Sequence, residues 1–275
     1  MNISFFNKRI LLKFYGIIGA ISILTSIIIL FVDIDAKWKS TLGVFALIVL
    51  IAIYIGLWIH ACIRQSICLK INASEVEVKF GDIFEENADL KAIGFNEYFD
   101  TQVNNVIISA KSLHGQYIEK FYKDRVADLD NLIAADQHLS EAYLCDNTTR
   151  LQGKKAKYKL GTVVTDNEYL LIAFSRFDDN NKAYLEINDY ISCLLNFWNE
   201  VDRVYAGRTV ALPLLGSGIT RFKGYDSISD QELLELIIWT FKVSRIKFAY
   251  PSRVKIVVYK EKSERINLLA LKDLE

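Results

Sequence analysis

The clearest chemical signal in the chain is Thr209-Val-Ala-Leu-Pro-Leu-Leu-Gly-Ser-Gly-Ile-Thr220, where an apolar strand pattern runs into Gly216, Ser217 and Gly218. Two glycines flanking a serine let the backbone turn so that successive N–H groups face one point. Amide dipoles fixed in this way replace the hydration shell of a diphosphate, the ligand such a turn suits best. A Gly-x-Gly pair also occurs in ordinary tight turns, so its meaning depends on the elements around it.

Composition narrows the alternatives. Lys plus Arg and Asp plus Glu each number 33, giving zero formal net charge and no basic field to hold a nucleic-acid backbone. No nucleic-acid partner is expected. The three histidines, His60, His114 and His138, have no metal-ligand spacing, so no metal site is expected. Cys62, Cys68, Cys145 and Cys193 form no Cys-x-x-Cys pair and read as reduced packing residues in a cytosolic compartment. Hydrophobic residues make up 52% of the chain and mean hydropathy is +0.18, an excess that demands burial or lipid.

That excess sits at the N-terminus. Residues 14–32 and 40–63 carry no charge, and the first run alone reaches about 28 Å as a helix, enough to cross a hydrocarbon core. Only Asp33-Ile-Asp-Ala-Lys-Trp-Lys39 separates them, which predicts two antiparallel spans. A cleaved leader is the competing reading of the first run, and the second span directly behind it argues against that. Lys8, Arg9 and Lys13 precede the pair and Arg64 and Lys70 follow it, so both termini are expected in the cytoplasm of a multi-pass inner-membrane protein. Gly16 with Ala20, Ser22 with Ser26, and Ala52 with Gly56 have the four-residue spacing of close helix contact, within the hairpin or between chains.

The composition therefore divides into a transmembrane hairpin, residues 1–68, and a cytoplasmic domain, residues 69–275. Alternation predicts strands at 75–80, 90–95 and 254–259, and a hairpin of 158–165 with 168–174. Residues 208–212 read as the strand entering the glycine turn. Apolar spacing predicts helices within 124–144, over 182–205 and over 263–272, and Ser229-x-x-Glu232 is a capping box opening another. Strands alternating with helices indicate an α/β fold, a mixed sheet covered on both faces. Phosphate ligands in such folds bind beyond the carboxyl ends of the strands, where residues 216–220 fall.

The combination Lys79-Phe-Gly-Asp-Ile83, Asn96 after an apolar strand, and Leu212-Pro-Leu-Leu-Gly-Ser-Gly-Ile219 resembles the macro domain, the ADP-ribose-binding module, in order and spacing. Phe95-Asn-Glu-Tyr-Phe-Asp-Thr101 and Ser112-Leu-His-Gly115, behind two membrane spans, resemble more narrowly the Thoeris antiphage effectors of the transmembrane–macro type. The resemblance implies a macro domain that binds an ADP-ribose-derived signal made by a TIR-domain partner. It further implies self-assembly among membrane lipids, disruption of the inner membrane, and abortive infection. No cofactor is implied beyond the ADP-ribose derivative as ligand.

The same resemblance assigns roles. Asp82 and Ile83 would meet the adenine, and Tyr259 is placed to stack on it. Leu215, Gly216, Ser217, Gly218, Ile219 and Thr220 would wrap the diphosphate, with Arg221 adding charge. Ser112, Leu113, His114 and Gly115 would form the opposing loop, Asn96 would approach the distal ribose, and Asp100 is counted with them among the ligand-binding residues. The role of His114 stays open among base, ligand contact and bystander. ADP-ribosyl hydrolases of this fold carry a glycine run followed by an acidic residue in the first loop, whereas here Ser-Leu-His-Gly is followed by Gln116. This departure favours binding over turnover. The alternative, a membrane-anchored ADP-ribosyl hydrolase, would leave Asp100 as its base.

Overall fold

The computed structural model describes residues 3–32, 35–178, 180–224 and 228–275. The chain divides into two compact units: residues 1–65 with Asn267–Ala270, and Ser66–Ile266 with Leu271–Glu275. The second unit begins at Ser66, ahead of the boundary at 69 expected from composition.

The first unit is a helical hairpin, α1 (Lys8–Ile29) and α2 (Ala36–Cys62). Asn7 caps α1 by accepting the amide of Arg9 at 3.0 Å, so the helix starts well before the uncharged run at 14 and ends before 32. Asp35 caps α2 through the amide of Lys37, ahead of the expected start at 40. Asp33 of the connecting turn lies outside the described residues. Both helices are long and apolar enough to cross a membrane, and their apolar side chains are exposed almost throughout. Their charged end is different. Ile10, Tyr54 and Leu269 form a small buried cluster there, with Phe14 and Trp58 packed around it. The Tyr54 hydroxyl donates to the Phe5 carbonyl at 2.5 Å.

The second unit is built on one sheet. Its strands are β1 (Ser66–Ile71), β2 (Ser74–Gly81), β3 (Leu90–Asn96), β6 (Val163–Asp166), β7 (Tyr169–Phe177), β8 (Ala183–Glu186), β9 (Val210–Pro213), β10 (Arg221–Lys223) and β11 (Val254–Tyr259). Among the described residues the order is β1-β2-β11-β9-β3-β7-β8-β10, with β6 paired to β7. Strands β2, β11, β9, β3 and β7 run parallel and form the centre. A separate pair, β4 (Tyr143–Asp146) with β5 (Ala156–Tyr158), lies outside this sheet.

Residues alternate between two apolar layers. Leu171 and Ala173 of β7, with Ile93 and Phe95 of β3, pack with Tyr117 and Ile118 of α3 (Leu113–Phe121) and Leu129 and Ile133 of α4 (Val126–Ala135). On the other face Phe174 meets Tyr190 of α6 (Ile187–Val204), at 5.9 Å between ring centres. Helix α6 buries Tyr190, Cys193, Leu194, Phe197, Trp198 and Val201, the three- and four-residue spacing of one helical face. It packs against α7 (Asp230–Ser244), where Trp198 Nε1 donates to Thr240 Oγ1 at 3.1 Å. The expected capping box is formed, with Ser229 and Glu232 each bonding the other's backbone.

Three expectations are corrected. Residues 183–186 form the short strand β8, paired between β7 and β10, and α6 starts only at Ile187. The region 124–144 divides into α4, the short α5 (Gln137–Glu141) and β4. The last helix is broken into two 3-10 segments, Lys260–Arg265 and Ala270–Leu274.

Candidate functional site

Four of the sequence segments singled out above end on one edge of the sheet. Strand β2 ends at Gly81, β11 at Tyr259, β9 at Pro213 and β3 at Asn96, all at their carboxyl ends. Tyr259 stands opposite Gly81 and Val257 opposite Pro213 in the parallel register. Gly81 and Tyr259, 178 positions apart in sequence, are thus adjacent by strand order, the position where open α/β sheets bind phosphate ligands.

The glycine loop leaves β9 over a buried aromatic floor. Gly216 has φ +86°, and a Cβ there would lie 3.1 Å from the Phe222 ring and 3.3 Å from Tyr190. A left-handed backbone over two rings leaves room only for hydrogen. The Tyr190 hydroxyl donates to the Leu215 carbonyl at 2.9 Å, and buried Leu215 packs beside Gly94, fixing the loop's entry. Ser217 spends its own groups internally. Its amide and its Oγ both bond the Leu214 carbonyl, at 3.3 and 2.7 Å. The Ser217 carbonyl is held by the Lys262 ammonium, which also bonds Asp230 Oδ1 at 3.2 Å. Among the described residues the amides of Gly216, Gly218, Ile219 and Thr220 have no protein acceptor. Gly218 and Ile219 are exposed, as is Arg221 at the start of β10.

At the neighbouring strand ends Asp82 is half-buried and accepts the Phe84 amide at 2.9 Å, a local turn that shapes the segment after β2. The Ile83 side chain is buried in the core, so its backbone rather than its side chain is what this edge offers. Tyr259 is 54% exposed, a ring free of core packing at the end of β11.

The segment after β3 has a different character. Asn96 is buried; its Oδ1 accepts the amides of Tyr98 and Asp100, and its Nδ2 donates to Asp100 Oδ2 at 2.8 Å. Asp100 receives three further donors: Arg150 Nη2 at 2.6 Å, Arg150 Nη1 at 3.2 Å and the Lys154 amide at 2.7 Å. Both partners of this ion pair are almost wholly buried, and the guanidinium also stacks 3.9 Å from the Tyr98 ring centre. A carboxylate with four donors has its acceptor positions filled and no proton-accepting lone pair left for water. Asp100 is therefore placed as the centre of a buried latch. Asn96 is likewise engaged by its own turn.

Residues 112–115 do not form an open loop. Ser112 caps α3, its Oγ accepting the Gly115 amide at 3.0 Å, and Leu113, His114 and Gly115 make the first turn. A Cβ on Gly115 would fall 2.3 Å from the Ser109 carbonyl oxygen, so the helix start is pressed onto the preceding turn. His114 is buried, its ring 3.6 Å from that of Phe95. Its Nε2 lies 2.9 Å from the Asp100 carbonyl, which fixes the Nε2–H tautomer as donor. Burial holds its pKa down at about 3, so the ring is neutral near pH 7.

The sequence singled out neither Lys262 nor Arg150. Each reaches its partner across the fold, 45 residues from Ser217 and 50 from Asp100, with no local motif to mark it. Among the described residues no cluster of His, Cys, Asp and Glu is arranged to hold a metal ion.

Comparison with known proteins bears on this arrangement. Residues 76–259, β2 through β11, match the family described as Thoeris protein ThsA, Macro domain. The chain is 41% identical over 263 residues to the Thoeris protein ThsA of Bacillus amyloliquefaciens (strain Y2), covering 94% of this chain and 88% of the relative. A mutant macrodomain of Oceanobacillus iheyensis superposes with a TM-score of 0.50 at 15% identity, over 77% of this chain and 98% of its own. At that identity the likeness is one of fold. A second mutant of that macrodomain, solved with ADPR, gives a TM-score of 0.49 at 15% identity over 76% of this chain and 98% of its own. By the extent of the family match and the identity to its curated relative, the chain belongs to the Thoeris ThsA macro domain family.

Proposed function

We propose that the chain is a signal-gated membrane effector whose macro domain binds an ADP-ribose derivative at the carboxyl edge of its sheet. Membership of the Thoeris ThsA family makes it an antiphage-defence protein with an ADP-ribose-type binding domain. The observation that carries the site is the loop at residues 216–220, four of whose amides meet no protein acceptor among the described residues, beside the ends of β2 and β11. Those amides would receive the diphosphate, each charge-assisted bond contributing on the order of 1.5–3 kcal/mol. The backbone after Gly81, with Asp82, would meet the adenine, and exposed Tyr259 would stack on it. The signal comes, on this reading, from a TIR-domain partner.

Binding without turnover is the favoured reading. The saturated carboxylate of Asp100, and the buried ring of His114 whose basicity is depressed by desolvation, make both poor general bases, which speaks against the hydrolase alternative.

The two apolar helices are proposed to span the inner membrane with both termini in the cytoplasm, and ligand-dependent self-association of the hairpin to disrupt it. A ligand shifts such an equilibrium only through its preference for one state. Moving from about 1:99 to 99:1 needs roughly 5.5 kcal/mol. An oligomer sharing several ligands supplies that preference through the sum of its sites.

The test is calorimetric titration of the purified full chain with ADP-ribose, alongside a release assay on an ADP-ribosylated protein. Saturable binding with no release is expected. Absence of binding ends the proposal, and sustained release lost in Asp100→Ala establishes the hydrolase instead.

A further inference from the structure

We propose that residues 260–270 are a strap that couples the glycine loop to the helical hairpin, with Lys262 sensing the loop and Leu269 anchoring the hairpin. The inference rests on the function proposed above and supplies its route of transmission.

The family match stops at Tyr259, yet the residues beyond it are tied to both units. Within the second unit the 3-10 segment Lys260–Arg265 grips the site. The Lys262 ammonium bonds the Ser217 carbonyl and Asp230, and Arg265 reaches the same carboxylate at 3.4 Å. Asp230 is the first residue of α7, so the grip joins the glycine loop to a rigid helix. Directly after Ile266 the chain enters the first unit. Asn267–Ala270 groups with the hairpin, and Leu269 is buried with Ile10 of α1 and Tyr54 of α2. The chain then returns to the second unit, where Lys272 Nζ bonds the Cys68 carbonyl and Glu275 accepts the Lys70 amide, both on β1. Strand β1 begins at Ser66, the residue after the first unit's Gln65.

Among the described residues Lys262 is the one cation bonded to the glycine loop itself, and its partners are a carbonyl and a carboxylate. A diphosphate on the neighbouring amides competes for that ammonium with a higher charge. Drawing Lys262 toward it loosens the bonds to Ser217 and Asp230, and the displacement passes along four residues to Ile266 and into the segment that packs on α1 and α2. Lys262 acts through the loop and through Leu269, as a positioning residue.

The experiment uses the full chain in detergent micelles, ADP-ribose as the probe, calorimetry for affinity, and hydrogen exchange read by mass spectrometry. In the unmodified protein, binding should change exchange at least two-fold in peptides covering 260–275 and 3–14. Leu269→Ala should abolish the response in 3–14 and keep that in 260–266. Because the ligand no longer works against the hairpin, its affinity should rise by about five-fold or more, the low end of ordinary coupling. Lys262→Met should lose the response in 267–275 and Lys262→Arg should retain it.

Binding without any response in 3–14 overturns the strap and leaves the binding site standing. An affinity in Leu269→Ala that is weaker, or within two-fold, also overturns it, since a purely structural prop would behave so. No ADP-ribose binding by the unmodified chain removes the proposed function and the strap together.

Discussion

Removing the Asp100 carboxylate distinguishes a latch from a catalytic base. In Asp100→Ala the Arg150 guanidinium, 4% exposed, loses its counter-ion, and the Lys154 amide and Asn96 Nδ2 lose their acceptor. Breaking a buried pair from one side costs about 3–5 kcal/mol, because the remaining charge stays buried and unpaired. For a domain of this size each kcal/mol moves Tm by roughly 2–4 °C, so the expected fall is about 6–20 °C. Thermal unfolding of the full chain, followed by circular dichroism, measures it. Replacing both partners, as Asp100→Leu with Arg150→Met, should recover most of the loss, since an apolar pair of similar volume is near neutral. The resulting mutant cycle gives the coupling directly. A Tm within about 2 °C of the parent in Asp100→Ala would refute the reasoning, because a solvent-accessible base contributes little to stability.

Three further outcomes follow from the geometry. Gly216→Glu puts a side chain at φ +86° against Phe222 and Tyr190 and a negative charge in the cradle; strain of about 1–2 kcal/mol is expected. Stabilisation by ADP-ribose in a thermal-shift assay should vanish, and a retained shift would remove the loop from the site. Because the His114 pKa is depressed to about 3, the unfolded chain binds the extra proton between there and 6.5. Stability should therefore fall on acidification below about pH 6.5, by up to about 1.4 kcal/mol per unit. Urea denaturation across pH 4–7 should show this slope in the parent and not in His114→Gln; equal slopes would exclude the histidine as its source. Gly16, Gly19, Gly43 and Gly56 face open space in the hairpin, so their smallness is not used within one chain. Gly56→Leu should abolish toxicity in cells at unchanged ADP-ribose affinity, and undiminished toxicity would exclude that face from assembly.

What was legible in the sequence was local. The glycine loop, the capping box at Ser229 and the strand at 254–259 are patterns of adjacent residues, and each stands where its pattern predicts. The mixed sheet followed from strands alternating with helices, although strands as short as β8 and β10 carry too few residues to show a period. The broken final helix shows the limit in the other direction. Ile266, Leu268, Leu269 and Leu271 all bury, a set no single helical face accommodates, and the Asn267 side chain accepts the amides of Leu269 and Ala270 in place of a helical turn. Apolar spacing counts buried residues without saying which body buries them, and here two bodies share the segment.

The same limit separates the two halves of the candidate site. A diphosphate cradle is made of consecutive amides, so its chemistry is written in consecutive residues. The state of a carboxylate is set by whatever the fold brings to it. Asp100 and an open, reactive aspartate read identically in the sequence, and only the guanidinium of Arg150 and the amide of Lys154 decide between them. A glycine loop can therefore be inferred with its ligand class, whereas a catalytic acid or base requires its neighbours to be placed first.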